Sequence, residues 1–276
     1  MKLSTGEVDA ARFLYSLLAI IASCGVISNF ALFLVTLKSE NLRSSCHLLI
    51  GLCALLDTFH EIGQLYQFPL LFGDGMISSR TCALIQVLPE MGVLGGCACL
   101  LCIGLEWLTS VVCIARYKGL ARRLLRAHLL LISLFGCYPL FLMIAYYQPQ
   151  MQICSIPSPF HGAATAAWGQ MLLLLNLSSL VVYCCVAKII SISPNVSSAT
   201  RAEFRGNFAV MTADVSGWVV GIGLLVAAQA VHLTEEHLFI ASYFCGLFIN
   251  SGIAAKSLIY IWMSTEYREA FRVVFR

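Results

Sequence analysis

Apolar positions dominate seven stretches of the chain, each long enough to supply the roughly 20 helical residues that cross a hydrocarbon core of about 30 Å. They lie at residues 13–37, 47–72, 82–114, 127–147, 163–192, 207–231 and 238–263. The pattern predicts an all-α membrane protein, a single seven-helix bundle over residues 1–276. Turn-forming residues fall between the stretches: Gly73-Asp74-Gly75 after the second, Pro149, Pro157 and Pro159 after the fourth, and Pro194-Asn195 after the fifth. After Met263 the apolar residues Tyr267, Phe271, Val274 and Phe275 recur at i, i+4, i+7 and i+8, with arginines on the opposite face. That spacing predicts a short amphipathic helix over residues 264–276, lying in the headgroup plane.

The first stretch is longer than a signal-peptide core of about 7–15 residues and lacks a small-x-small cleavage pattern, so it is expected to remain as a span. No repeat relates the two halves, which argues against transporters built from duplicated bundles.

Composition removes the soluble alternative. Of the 276 residues 59% are apolar and 11% charged, against roughly 45–50% and roughly 25% in soluble domains. The mean hydropathy is +0.86. A net charge of +3, scattered along the chain, offers no surface for nucleic acid. The distribution of that charge is informative. Thirteen of the seventeen basic residues fall in alternate connections: Lys38 and Arg43; Arg116, Lys118, Arg122, Arg123 and Arg126; Lys188, Arg201 and Arg205; Arg268, Arg272 and Arg276. The opposite set holds Lys2, Arg12 and Arg80, and Lys256 lies within the seventh span. Positive residues stay cytoplasmic, so the expected topology has the N-terminus outside, the C-terminus inside, and the protein in the plasma membrane.

An ionisable group in a span costs about 2.5–3.5 kcal/mol on insertion scales and asks for a partner or a wet cavity. Here these groups are Asp57, Glu61, Glu90, Glu106, Asp214 and Lys256. Asp57 and Lys256 fall about 15 Å and about 10 Å from the cytoplasmic ends of spans two and seven. A lysine stem bridges that difference, so an intramembrane pair between Lys256 and Asp57 is expected, with Asp214 as the second acid. Snorkelling of Lys256 to the inner headgroups is the alternative. Glu61 lies one turn outward of Asp57, and Glu90 lies near Gln86 behind Pro89. With Trp218 and Asn250 they are candidates to line an outward-facing ligand cavity.

Enzyme signatures are lacking: there is no His-Glu-x-x-His, Gly-x-Ser-x-Gly or phosphate loop, and Cys99-Leu-Leu-Cys102 sits mid-span. No enzymatic activity, cofactor or metal is expected. Eleven of the thirteen cysteines lie within apolar runs or at their ends, and Cys82 and Cys154 are the remaining two.

Several motifs then fall in a specific order. Asn29 and Asp57 stand 28 residues apart; Ile103-Gly104-Leu105-Glu106-Trp107-Leu108 is followed by Val111 and Arg116-Tyr117-Lys118; and Tyr260-Ile261-Trp262 is followed by Ser264-Thr265-Glu266-Tyr267-Arg268-Glu269-Ala270-Phe271. Tyr183 and Trp218 add two aromatics in spans five and six. In this arrangement the chain resembles the rhodopsin-like G-protein-coupled receptors, and within them the nematode serpentine chemoreceptors of the Srsx class. The resemblance implies a disulfide between Cys82 and Cys154, a small-molecule ligand, and coupling to a heterotrimeric G protein through a switch and coupling region holding Glu106, Trp107, Tyr183, Tyr260, Arg116, Arg122 and Arg123. Trp107 fills the slot of the family's switch arginine, and an indole cannot carry that charge. Lys256 and Ser257 replace the Asn and Pro of the family's Asn-Pro-x-x-Tyr motif. In the family that Asn and the acid matching Asp57 help to hold a sodium ion. A lysine ammonium supplies the positive charge itself, and no sodium site is expected.

Three rival readings remain open in the sequence. The same fold could act as a non-signalling ligand sink, with Trp107 and Lys256 locking the helices. Lys256 could hold retinal, although light receptors carry that lysine about two turns further out, where this chain has Asn250. A transporter or channel is the last.

Overall fold

A computed structural model describes residues 5–66, 76–193, 196–231 and 233–276. Among them are eight α-helices: α1 Thr5–Lys38, α2 Ser45–Leu65, α3 Ser79–Val112, α4 Ile114–Ala145, α5 Ala163–Ile192, α6 Ser198–Ala230, α7 Glu235–Met263 and α8 Thr265–Val274. Helices α1 to α7 are each long and apolar enough to cross a membrane. The chain is a multi-pass membrane protein. Two expected breaks, Gly73-Asp74-Gly75 and Pro194-Asn195, lie outside the described residues, as does the end of the second apolar run, residues 67–72.

Helix starts follow from capping. Ser44, Ser78, Thr234 and Ser264 each accept a hydrogen bond from a backbone N–H three residues on, those of His47, Thr81, His237 and Tyr267. Such caps satisfy a donor that the first turn leaves unpaired. Gly162, at φ +54°, turns the chain into α5.

Lipid tails are as apolar as leucine, so helix association in a bilayer depends on close packing, and small residues mark the contacts. A Cβ on Gly92 of α3 would lie 2.4 Å from the Leu56 carbonyl oxygen of α2. Gly217 and Gly221 form a Gly-x-x-x-Gly step on α6 that packs against Cys245, Phe248 and Ile249 of α7, and Gly252 of α7 packs against Ala213 of α6. Cβ atoms on Gly217 and Gly252 would lie 2.7 and 2.6 Å from the carbonyl oxygens of Phe248 and Ala213. The α6 and α7 backbones therefore touch. Large, mostly exposed apolar side chains such as Ile27, Ile144 and Trp262 face outward as a lipid-exposed shell.

One end of the bundle is tied by the Cys82–Cys154 disulfide and by strands β1 (Ile77–Ser78) and β2 (Met151–Gln152), which pair antiparallel. At the other end α8 folds back with Tyr267 and Ala270 buried and Phe271 and Val274 packed on the core. Phe275, expected on that face, is exposed.

Two connections differ from expectation. The arginine-bearing segment 116–126, read as a loop, is helical, because α4 begins at Ile114, directly after α3. Arg, Leu and Ala favour helix, and Gly119 alone weakens the run. Helix α6 likewise starts at Ser198, ahead of the expected residue 207. Charge marks where a span leaves hydrocarbon, not where its helix stops.

Candidate functional site

The candidate side chains lie in three layers along the bundle. The middle layer is an ion cluster. Lys256 of α7 extends between two carboxylates, with its Nζ 3.1 and 3.0 Å from the Asp57 oxygens of α2 and 3.2 Å from Asp214 Oδ2 of α6. All three residues are buried. Asp214, expected as an alternative partner, is engaged together with Asp57. Asn29 and Ser257 brace the cluster: Ser257 Oγ donates to Asn29 Oδ1 at 3.2 Å, and Asn29 Nδ2 donates to the Ile253 carbonyl at 3.4 Å.

The resemblance raises the question of a sodium ion at Asp57. The Lys256 ammonium already takes the carboxylate oxygens such an ion would use. The cavity bordering Asn29, Asp57 and Lys256 measures about 10 Å³, enough for one water at most. These residues do not fit a sodium ion. Among the described residues no group of three or more His, Cys, Asp or Glu is arranged to hold a metal.

The second layer lies one to two turns toward the disulfide. His60 of α2 bonds Asn250 of α7, Nε2 to Oδ1 at 3.2 Å, and meets the Trp218 ring of α6 edge-on with centroids 6.1 Å apart. Glu61 is fully buried, and neither carboxylate oxygen has a hydrogen-bond partner. It lies against α1, where a Cβ on Gly25 would come within 2.8 Å of its Oε1. Glu90 accepts from Trp168 Nε1 at 2.8 Å and keeps Oε1 unpaired. Gln86 donates to the Gly63 carbonyl at 3.3 Å and to Cys154 Sγ at 3.9 Å, with its own Oε1 unpaired. Glu61, Gln86 and Glu90 thus each leave at least one carboxyl or amide oxygen unpaired. Another cavity, about 620 Å³, lies elsewhere, between α1 and α2 along Ser16, Ala19, Ile20, Ser23, Cys24 and Leu65.

At the α8 end lies an aromatic cluster. Trp107 of α3 meets Phe204 of α6 edge-on at 5.4 Å, and Phe204 stacks on Tyr183 of α5 at 6.2 Å. Tyr183 lies flat on α3, where a Cβ on Gly104 would come within 2.7 Å of its ring. Tyr260 donates to Asn207 Oδ1 at 3.0 Å and contacts Tyr267. Glu106 turns away from Trp107, accepting from the Tyr117 hydroxyl at 2.5 Å and lying 3.5 Å from His128 Nδ1. Burial and that carboxylate push the Tyr117 phenol above its ordinary range, which keeps it a proton donor. Arg116, Arg122 and Arg123 are exposed on α4, apart from this cluster.

Sequence reasoning missed His60, Trp168 and Phe204, and also His47, whose Nε2 lies 3.2 Å from Glu266 of α8 and 3.9 Å from Glu203 of α6. Their pairings depend on rotation about each helix axis, which linear spacing does not report. His60 alone carried a signal, as a basic side chain one turn from Asp57.

No curated protein matches the chain. Residues 22–275, nearly the whole sequence, match the family described as serpentine type 7TM GPCR chemoreceptor Srsx. With seven apolar helices, the Cys82–Cys154 bridge and a polar interior in place, the protein belongs to this family of chemoreceptors.

Proposed function

We propose that the protein is a plasma-membrane chemosensory receptor with its N-terminus and disulfide end outside, binding a small external ligand near Glu61, Gln86, Glu90, Trp218 and Asn250 and signalling to a heterotrimeric G protein at the α8 end. The ion cluster is the observation that carries this reading. It joins α2, α6 and α7 at one point, directly beneath the His60–Asn250–Trp218 layer. A change in the outer layer is felt by the three helices at once.

The unpaired oxygens on Glu61, Gln86 and Glu90 favour a polar ligand able to hydrogen-bond with carboxyl and amide groups. All three residues are fully buried, so the ligand binds an arrangement in which the helices at the disulfide end have parted. Its differential affinity for that arrangement drives the equilibrium. At the α8 end the shift is read through Trp107, Phe204, Tyr183 and Tyr260. Arg116, Arg122 and Arg123 add positive charge at the same membrane face, apart from that cluster. No covalent chemistry is involved.

A silent receptor of the same fold is the second reading, favoured by Trp107 in the place of the family's switch arginine. Nucleotide exchange separates the two. The full chain in nanodiscs, incubated with purified heterotrimers of the several G-protein classes, is expected to raise GTP-analogue uptake several-fold over empty nanodiscs without added ligand. Uptake at the empty-disc level with every heterotrimer would contradict the signalling reading.

A further inference from the structure

Helix α4 is 32 residues long, about 48 Å at 1.5 Å per residue, against a hydrocarbon core of about 30 Å. The uncharged apolar run within it begins only at residue 127, so the turns before that stand at headgroup level. Four exposed arginines occupy those turns: Arg116, Arg122, Arg123 and Arg126. At 3.6 residues per turn they fall within an arc of about 120° on one side of the helix. His128 projects from the opposite side, and it is buried against Glu106.

Among the described residues the arginine arc has no internal counter-charge. No Asp or Glu stands anywhere between Glu106 and Glu203, and none of the four arginines enters an ion pair among the described residues. The same arc continues along α4 as Leu130, Leu134 and Phe141, which are 63%, 61% and 62% exposed. In a bilayer that apolar stripe faces acyl chains. The arginines thus cap a lipid-facing stripe, and they point away from the aromatic cluster of the α8 end.

We infer that this face of α4 is a binding site for an anionic phospholipid, with headgroup phosphates held by Arg116, Arg122, Arg123 and Arg126 and acyl chains lying along Leu130, Leu134 and Phe141. The guanidinium fork suits phosphate oxygens geometrically. The continuity of charge with lipid-facing surface selects a lipid over an acidic protein, whose contacts would not extend into hydrocarbon.

The test compares retention of phosphatidylinositol bisphosphate and phosphatidylcholine by the full chain, read as lipid adducts in native mass spectrometry from micelles. The unmodified protein is expected to retain the bisphosphate lipid at least about ten-fold better, with the preference weakening as salt rises. The variant Arg116→Gln, Arg122→Gln, Arg123→Gln, Arg126→Gln is expected to lose the preference, at about five-fold per arginine, while keeping its thermal midpoint in detergent. An unchanged preference in the variant overturns the site, as does loss of G-protein exchange in the variant with lipid retention intact, which would assign the face to a protein. Should the glutamine variant fail to fold, the unmodified chain decides alone: equal retention of the two lipids, or a preference indifferent to salt, overturns the site.

Discussion

The Lys256 ammonium lies 3.0 Å from the Asp57 carboxylate, across the contact of α7 with α2. It makes two contacts with Asp57 and one with Asp214, and the three residues are buried. Removing one partner from a buried ion group leaves an uncompensated charge, at a cost of about 3–5 kcal/mol. Lys256→Ala is expected to lose about that much in detergent unfolding, and Asp57→Asn more than Asp214→Asn. The exchange Asp57→Lys with Lys256→Asp should recover the surface expression that each single change loses. Absence of rescue would count against the pair.

At the α8 end, Trp107 is held by shape. Its ring is buried against Phe204, and large-to-small changes at such positions cost about 3–5 kcal/mol. Trp107→Ala should lower the thermal midpoint accordingly, with Trp107→Phe retaining most of the stability. A loss in Trp107→Ala below about 1 kcal/mol would show that the aromatic cluster contributes little.

The lysine also answers for sodium. A ligand that binds only the folded form stabilises it by mass action. Replacing sodium chloride with choline chloride at equal ionic strength is therefore expected to leave the melting temperature of the unmodified protein unchanged. A sodium-specific rise would mean that the ion enters despite Lys256.

The α6 to α7 contact gives a sharp contrast between glycines. A Cβ at Gly252 would sit 2.6 Å from the Ala213 carbonyl oxygen, and one at Gly223 would meet nothing within 4 Å. Gly252→Ala should destabilise by about 1–3 kcal/mol by pushing the backbones apart. Gly223→Ala should be neutral or stabilising by about 0.4–1 kcal/mol. Equal effects in unfolding experiments would argue that α6 and α7 do not touch as described.

The spans were legible because lipid imposes a length and a composition that few soluble sequences share. The cysteine bridge was legible only through the family's motif order, since nothing in the spacing of Cys82 and Cys154 demands it. Depth along the helices pointed to Lys256, Asp57 and Asp214, but depth reports height and not direction, so the simultaneous engagement of both acids was not readable. The same limit hid the Glu90 contact with Trp168 and the isolation of Glu61. The helical start of α4 is hidden for another reason: four arginines end a hydrophobic run without ending a helix.

The whole account stands on the direction in which the bundle crosses the membrane, because that decides which layer meets the ligand and which meets the G protein. Epitopes fused ahead of Met1 and after Arg276, probed on intact and on permeabilised cells, test it directly. The account predicts that the first epitope is labelled on intact cells and the second only after permeabilisation. The reverse pattern would place Glu61 and Glu90 on the cytoplasmic side and would contradict the receptor reading.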